Sequence, residues 1–145
     1  MFIFKLEKVK NLKENLMNIE IMKLHEINNQ IKSKNQYLSE LESQKKCLIE
    51  KFDLHIKTNV DFSILKYIAD SILSLDLEIR STKKIIEELQ NKKIAQIETI
   101  KNFHKEIKKF EKLKEYYKER YIYEEKLKEQ NFINDISSIF YVRNK

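Results

Sequence analysis

From Leu65 to Tyr121 the chain holds one heptad register without a slip. Its seam positions are Leu65, Ile68, Ile72, Leu75, Ile79, Thr82, Ile86, Leu89, Lys93, Gln96, Ile100, Phe103, Ile107, Phe110, Lys114, Tyr117 and Tyr121. Thirteen of these seventeen are apolar or aromatic. A 3.5-residue period kept for so long exceeds an ordinary globular helix and keeps one stripe facing a partner along a left-handed supercoil. Glycine and proline are absent from the whole sequence, and tight turns draw most heavily on those two residues. A chain lacking both has few turns, so the partner stripe must lie on another long helix. Charged residues, 36% of the chain and mixed in sign, complete the composition of a coiled coil. The sustained apolar period argues against disorder. The 145 residues are expected to form a single coiled-coil domain, 1–145.

The first helix is expected over about residues 4–56. Leu24, Ile27, Ile31, Leu38, Leu41, Leu48 and Phe52 fall on its seam, interrupted by Lys34 and Lys45. Upstream, Val9, Leu12, Leu16 and Ile19 are correctly spaced but offset by one residue, which predicts a local change of winding near Ile21 to Lys23. The heptad fails between Ile56 and Phe62. A turn is expected at about 57–61, with Asn59 in the left-handed conformation that ends helices, and with Asp61 or Ser63 capping the next helix. The second helix is expected over about 62–140, with a frayed end. The fold class is therefore all-α: a long antiparallel two-helix coiled-coil hairpin with a longer second helix. Residue n should lie opposite about 118 − n in such a pair. Residues beyond about 114 would then pass the end of the first helix. They include Tyr116, Tyr117, Tyr121, Tyr123, Phe132, Phe140 and Tyr141, an aromatic end suited to another protein.

Chemistry is sparse. His25, His55 and His104 are scattered, and none lies three or four residues from another His or Cys, so no metal-ligand spacing exists. Phosphate loops and dinucleotide fingerprints need glycines. A two-helix hairpin has no cleft in which to desolvate a carboxylate pair. A nonenzymatic protein without cofactor or metal is expected. The net charge of +6 raises a basic nucleic-acid-binding arm as an alternative, although bases and acids are intermixed. A generic coiled-coil structural dimer is a second alternative. Cys47, the single cysteine, falls off the seam and reads as an inert surface thiol. The opening Met1-Phe2-Ile3-Phe4-Lys5 lacks an apolar core of signal-peptide length, and no run of some eighteen apolar residues occurs, so a cytosolic protein without a membrane span is expected.

Three stretches resemble the FliJ proteins of bacterial flagellar export. Phe4-Lys5-Leu6-Glu7-Lys8-Val9, with Leu12-Lys13-Glu14, is similar to the family's opening, apart from Lys10 where an apolar residue is usual. Ile68, Ser71, Ile72, Leu75 and Ile79 repeat the spacing that starts its second helix, with Ile68 and Ser71 in place of two aromatics. Phe110-Glu111-Lys112-Leu113-Lys114-Glu115, and after it Glu124, Glu125, Lys128, Glu129, Gln130, Asp135 and Ile136, is similar to its ending. The resemblance implies a stalk like that of rotary ATPases, in the cytoplasm and peripherally associated with the inner membrane at the flagellar base. Its implied partners are the export ATPase hexamer, the cytoplasmic part of the membrane export gate, and export chaperones. The gate patch implied by the resemblance comprises Leu38, Leu41, Ser71, Leu75 and Glu78. The ATPase-binding end comprises Phe4, Leu6, Val9, Phe110, Leu113, Tyr117 and Tyr121.

Overall fold

A computed structural model of the protein describes residues 1–58 and 61–143. Among them are two helices, α1 (Glu7–Lys57) and α2 (Phe62–Arg143), and no strand. The fold is an all-α antiparallel hairpin whose second helix, 82 residues against 51, is the longer. The turn position expected at Asn59 lies outside the described residues. On either side of it the chain is closed locally. The Thr58 amide and hydroxyl both donate to the Leu54 carbonyl, at 3.2 and 3.1 Å, satisfying one of the acceptors orphaned at the end of α1. Asp61 is the cap of α2. Its Oδ1 accepts the Ser63 amide at 3.3 Å and its carbonyl accepts that of Ile64 at 3.1 Å.

The helices pack in two compact units, Ile19–Ile100 and Met1–Asn18 with Lys101–Lys145. In Ile19–Ile100, Leu24, Ile27, Ile31, Leu38, Leu41, Leu48 and Phe52 are all buried or half-buried, and so are Lys34 and Lys45 between them. Those lysines bury their stems and compensate their heads. Lys45 Nζ lies 2.5 Å from Asp76 Oδ1, and Lys34 Nζ lies 5.8 Å from the Tyr37 ring centroid. Every α2 seam position from Leu65 to Ile100 is likewise covered. Thr82, polar and only 3% exposed, donates its hydroxyl to the Glu78 carbonyl one turn back at 2.8 Å, so nothing polar is left bare.

Gln96 fixes the register of this unit. Its side-chain amide donates to the Glu20 backbone carbonyl at 2.9 Å and also to the Glu20 carboxylate. A polar seam residue satisfied at only one level penalises every slipped pairing. Glu20–Gln96, Tyr37–Glu78 and Lys45–Asp76 all lie within a few residues of the expected pairing.

In Met1–Asn18 with Lys101–Lys145, α2 again keeps its predicted line. Phe103, Ile107, Phe110, Lys114 and Tyr121 are buried or half-buried, and Tyr117 is 43% exposed. The α1 side departs from expectation. Val9, Leu12 and Leu16 face outward, 39%, 56% and 37% exposed, while Lys10, Lys13 and Met17 take the seam. The heptad count of Ile31, Ile27 and Leu24, carried back, lands on Glu20, Met17, Lys13 and Lys10. The change of winding expected near Ile21 to Lys23 does not occur. A phase shift in α1 would need a matching shift in α2, whose seam has none. Ion pairs make the polar seam tolerable: Lys13 with Glu106 at 3.1 Å and Glu7 with Lys114 at 3.0 Å. Lys13 Nζ also lies 5.8 Å from the Phe103 ring centroid. Helix α1 starts at Glu7 and not at Phe4, because residues 1–6 are non-helical and enter it through a turn from the Phe4 carbonyl to the Glu7 amide at 3.1 Å.

Two measurements check this register. Leu41→Ala should lower stability by about 2–4 kcal/mol in urea denaturation, whereas Leu12→Ala should change it by less than about 0.5 kcal/mol. Equal losses would place Leu12 on the seam. The bonds from Gln96 and Lys23 lower the Glu20 carboxyl below its ordinary value. A carboxyl depressed in the folded state stabilises above its unfolded pKa, and that stability disappears as pH falls through the folded pKa. Glu20→Gln should therefore flatten part of the acid limb of a melting-temperature profile. An unchanged limb would mean the contact is absent in solution.

Candidate functional site

The opening residues lie against the α2 aromatics inside the unit Met1–Asn18 with Lys101–Lys145. Phe4, 7% exposed, stacks obliquely on Tyr117 with centroids 6.4 Å apart and planes at 42°. Phe2 does the same on Tyr121 at 5.7 Å and 49°. The Met1 amino group donates to the Tyr121 hydroxyl at 2.7 Å. Tyr116 meets the Tyr117 edge at 5.7 Å. The ladder closes because two residues of extended chain can span ~6.6–7.2 Å, while the four residues between Tyr117 and Tyr121 rise about 6 Å. Each tilted aromatic pair contributes about 0.5–1.5 kcal/mol beyond area burial.

Beside this ladder a groove of about 640 Å³ is lined by residues 1–6 with Tyr117, Arg120, Tyr121 and Glu124. Arg120 Nε lies 3.3 Å from Glu124 Oε1 on its rim. A second groove, of about 360 Å³, is lined by Lys13, Glu106, Lys109, Phe110 and Leu113. Of the residues assigned to the ATPase-binding end, Phe4, Leu6, Tyr117 and Tyr121 line the first groove and Phe110 and Leu113 the second. Val9 lines neither; it belongs to the outward stripe with Leu12 and Leu16. The expectation that α2 runs on alone past about residue 114 is corrected: the opening residues accompany it to Tyr121 and Glu124. Phe2 was missed. Its signal is the alternation Phe2, Phe4, a two-residue period that a heptad reading passes over.

The residues assigned to the gate patch lie in Ile19–Ile100. Leu41 is 3% exposed, Leu38, Ser71 and Leu75 are half-buried, and Glu78 is exposed. Tyr37 donates its hydroxyl to the Glu78 carboxylate, which pushes the Tyr37 phenol above its ordinary value. Tyr37 was also missed, although it directly precedes seam residue Leu38 just as Glu78 precedes Ile79. Residues one place before the seam face each other in an antiparallel pair. Ile68, at one of the two positions where the family pattern has an aromatic, is buried at 6% exposure; Ser71 is at the other. Cys47 is exposed and free. Among the described residues no group of His, Cys, Asp and Glu could hold a metal, and no helix is long and apolar enough to cross a membrane.

The family model for the flagellar FliJ protein matches residues 1–145, the whole chain. The chain belongs to the FliJ family. It is thus a component of the flagellar protein export apparatus. Neither the curated proteins nor the solved structures compared with it give a match.

Tyr37 offers a spectroscopic check on this level. Tyrosine absorbance titrated with base should show a late component above pH ~10 that Tyr37→Phe removes and Glu78→Gln brings forward. A phenol raised in the folded state stabilises below its unfolded pKa, and this stability is lost as pH rises through the folded pKa. The seven tyrosines titrating as one population would refute the bond.

Proposed function

We propose that this protein is a nonenzymatic stalk and adaptor of the flagellar type III export apparatus. It couples the hexameric export ATPase to the cytoplasmic part of the export gate and binds export chaperones. It works in the cytoplasm, peripherally associated with the inner membrane at the flagellar base. The observation that carries this reading is the family match over the whole chain, on a fold with the stiffness a stalk needs. A seam without glycine or proline has no kink-forming residue. The ATPase engages the aromatic end, where Phe4, Leu6, Phe110, Leu113, Tyr117 and Tyr121 gather, with Val9 on its outer side. Contacts there are partly exposed rings rimmed by mixed charge, which suits weak, steerable binding to a ring that must let go. The gate engages the level of Leu38, Leu41, Ser71, Leu75 and Glu78. Only Glu78 of these is exposed, with Tyr37 bonded to it, so the two leucines of α1 and Leu75 act by shaping the surface that Glu78 presents.

Co-purification of the full chain with its cognate export ATPase tests the first contact. The wild type should be retained, and Tyr117→Ala with Tyr121→Ala should weaken retention about tenfold or more, as loss of buried aromatic anchors does. Helicity by circular dichroism should hold, since both residues lie at the end of the seam. No retention of the wild type would remove the ATPase from the proposal. For the gate, Glu78→Ala should weaken binding without lowering the melting temperature appreciably, and normal binding would show the patch to be misassigned.

A further inference from the structure

The net charge of the chain is not spread along it. Residues 1–18 and 101–120 hold twelve Lys and Arg against six Asp and Glu. Residues 19–100 hold thirteen of each sign, and residues 121–145 hold four of each. The full +6 therefore lies where the start of α1 pairs with α2. In sequence each stretch is only mildly basic; antiparallel pairing brings them to one level.

The same level bears the outward stripe Val9, Leu12, Leu16. Each of these residues directly precedes a seam residue of α1, as Lys109 and Leu113 directly precede Phe110 and Lys114 on α2. In an antiparallel pair such positions share one flank. That flank has apolar residues at three- and four-residue spacing on α1, and a groove reaching Leu113 on α2. Its one groove-lining acid, Glu106, is neutralised by Lys13 at 3.1 Å, while Lys109 holds no ion pair among the described residues.

We propose that this flank is the docking site of an acidic amphipathic helix from a partner protein, which packs along Val9, Leu12 and Leu16 as a local third helix. The stripe has the period of helix-in-groove recognition, and the net positive charge of this level, with Lys109 unpaired among the described residues on the flank, favours acidic residues at the borders of the incoming apolar face. A second copy of this chain would bring the same positive level against itself. A nucleic acid would use the lysines but gain nothing from three aliphatic side chains. The inference does not rest on the ATPase reading: the flank shares Val9 and Leu113 with the end proposed for the ATPase, and its test uses Leu12, Leu16 and Lys109, which that reading does not.

The test uses the full chain and a synthetic amphipathic peptide about three heptads long, with Leu on its apolar face and Glu elsewhere. Two controls are the same peptide with Lys for Glu, and a scrambled peptide of identical composition. Anisotropy titrations should show binding of the Glu peptide only, weakening as salt is raised through the Debye-screening range. Leu12→Asn with Leu16→Asn should weaken it at least about tenfold. Lys109→Gln should weaken it severalfold, with helicity unchanged in both variants. Absence of binding, equal binding of the scrambled peptide, or equal binding to the leucine variant would each overturn the proposal. So would stripe-dependent binding of a single-stranded oligonucleotide or of phosphatidylglycerol vesicles, which would assign the flank to another class of ligand.

Discussion

The α2 seam dictates the arrangement of everything packed against it. Helix α2 puts a seam residue inward at each heptad step from Leu65 to Phe110, and an inserted or deleted residue would turn everything beyond it to solvent. A partner with a fixed 3.5-residue seam allows α1 only the same register. That is why Lys10, Lys13 and Met17 lie inward while Val9, Leu12 and Leu16 lie outward. Hydrophobic preference at single positions gives way to continuity of the pair. Three outward aliphatic side chains cost less than a break in winding that would also misplace the neighbouring levels.

That ranking also explains which parts of the molecule could be read from residues alone. The α2 seam was legible from Leu65 to Lys114 because its pattern is long, and errors at one heptad are corrected by the next. The pairing was legible from the place of the turn: residue n opposite about 118 − n sets Gln96 near Met22, two residues from the Glu20 it meets. The start of α1 was misread because Val9, Leu12, Leu16 and Ile19 present a better apolar stripe than the one used. Apolarity does not report that the Lys13 ammonium can lie over the Phe103 ring while it also reaches Glu106. The aromatic ladder was half legible. Tyr117 and Tyr121 stood out at heptad spacing, whereas Phe2 and Phe4 have a two-residue period that a helical reading discards.

Polar groups divide the work along α1 and α2. Gln96 and Thr82 sit in the seam and are satisfied there, Thr82 within its own helix and Gln96 across the pair, so that Gln96 specifies pairing and neither leaves a buried polar group unbonded. Tyr37–Glu78 and Lys13–Glu106 lie at its edge, where water screens them and their net stabilisation is small. Their value is directional. Each holds a side chain at a stated place on an otherwise solvated surface, which an interaction site requires more than a folded core does.

The outward stripe and the basic level belong together for a physical reason. An exposed aliphatic stripe on a coiled coil invites association with any other apolar face, including another copy of the same chain. A net positive charge at its level, with Lys109 unpaired among the described residues on the same flank, makes self-association costly, because two copies bring like charges together as the apolar faces meet. The same charge lowers the cost for one class of partner, an apolar face bordered by acids. Positive charge distributed evenly along both helices would repel copies everywhere and select nothing. Confined to residues 1–18 and 101–120, it turns a liability in the α1 pattern into a filter.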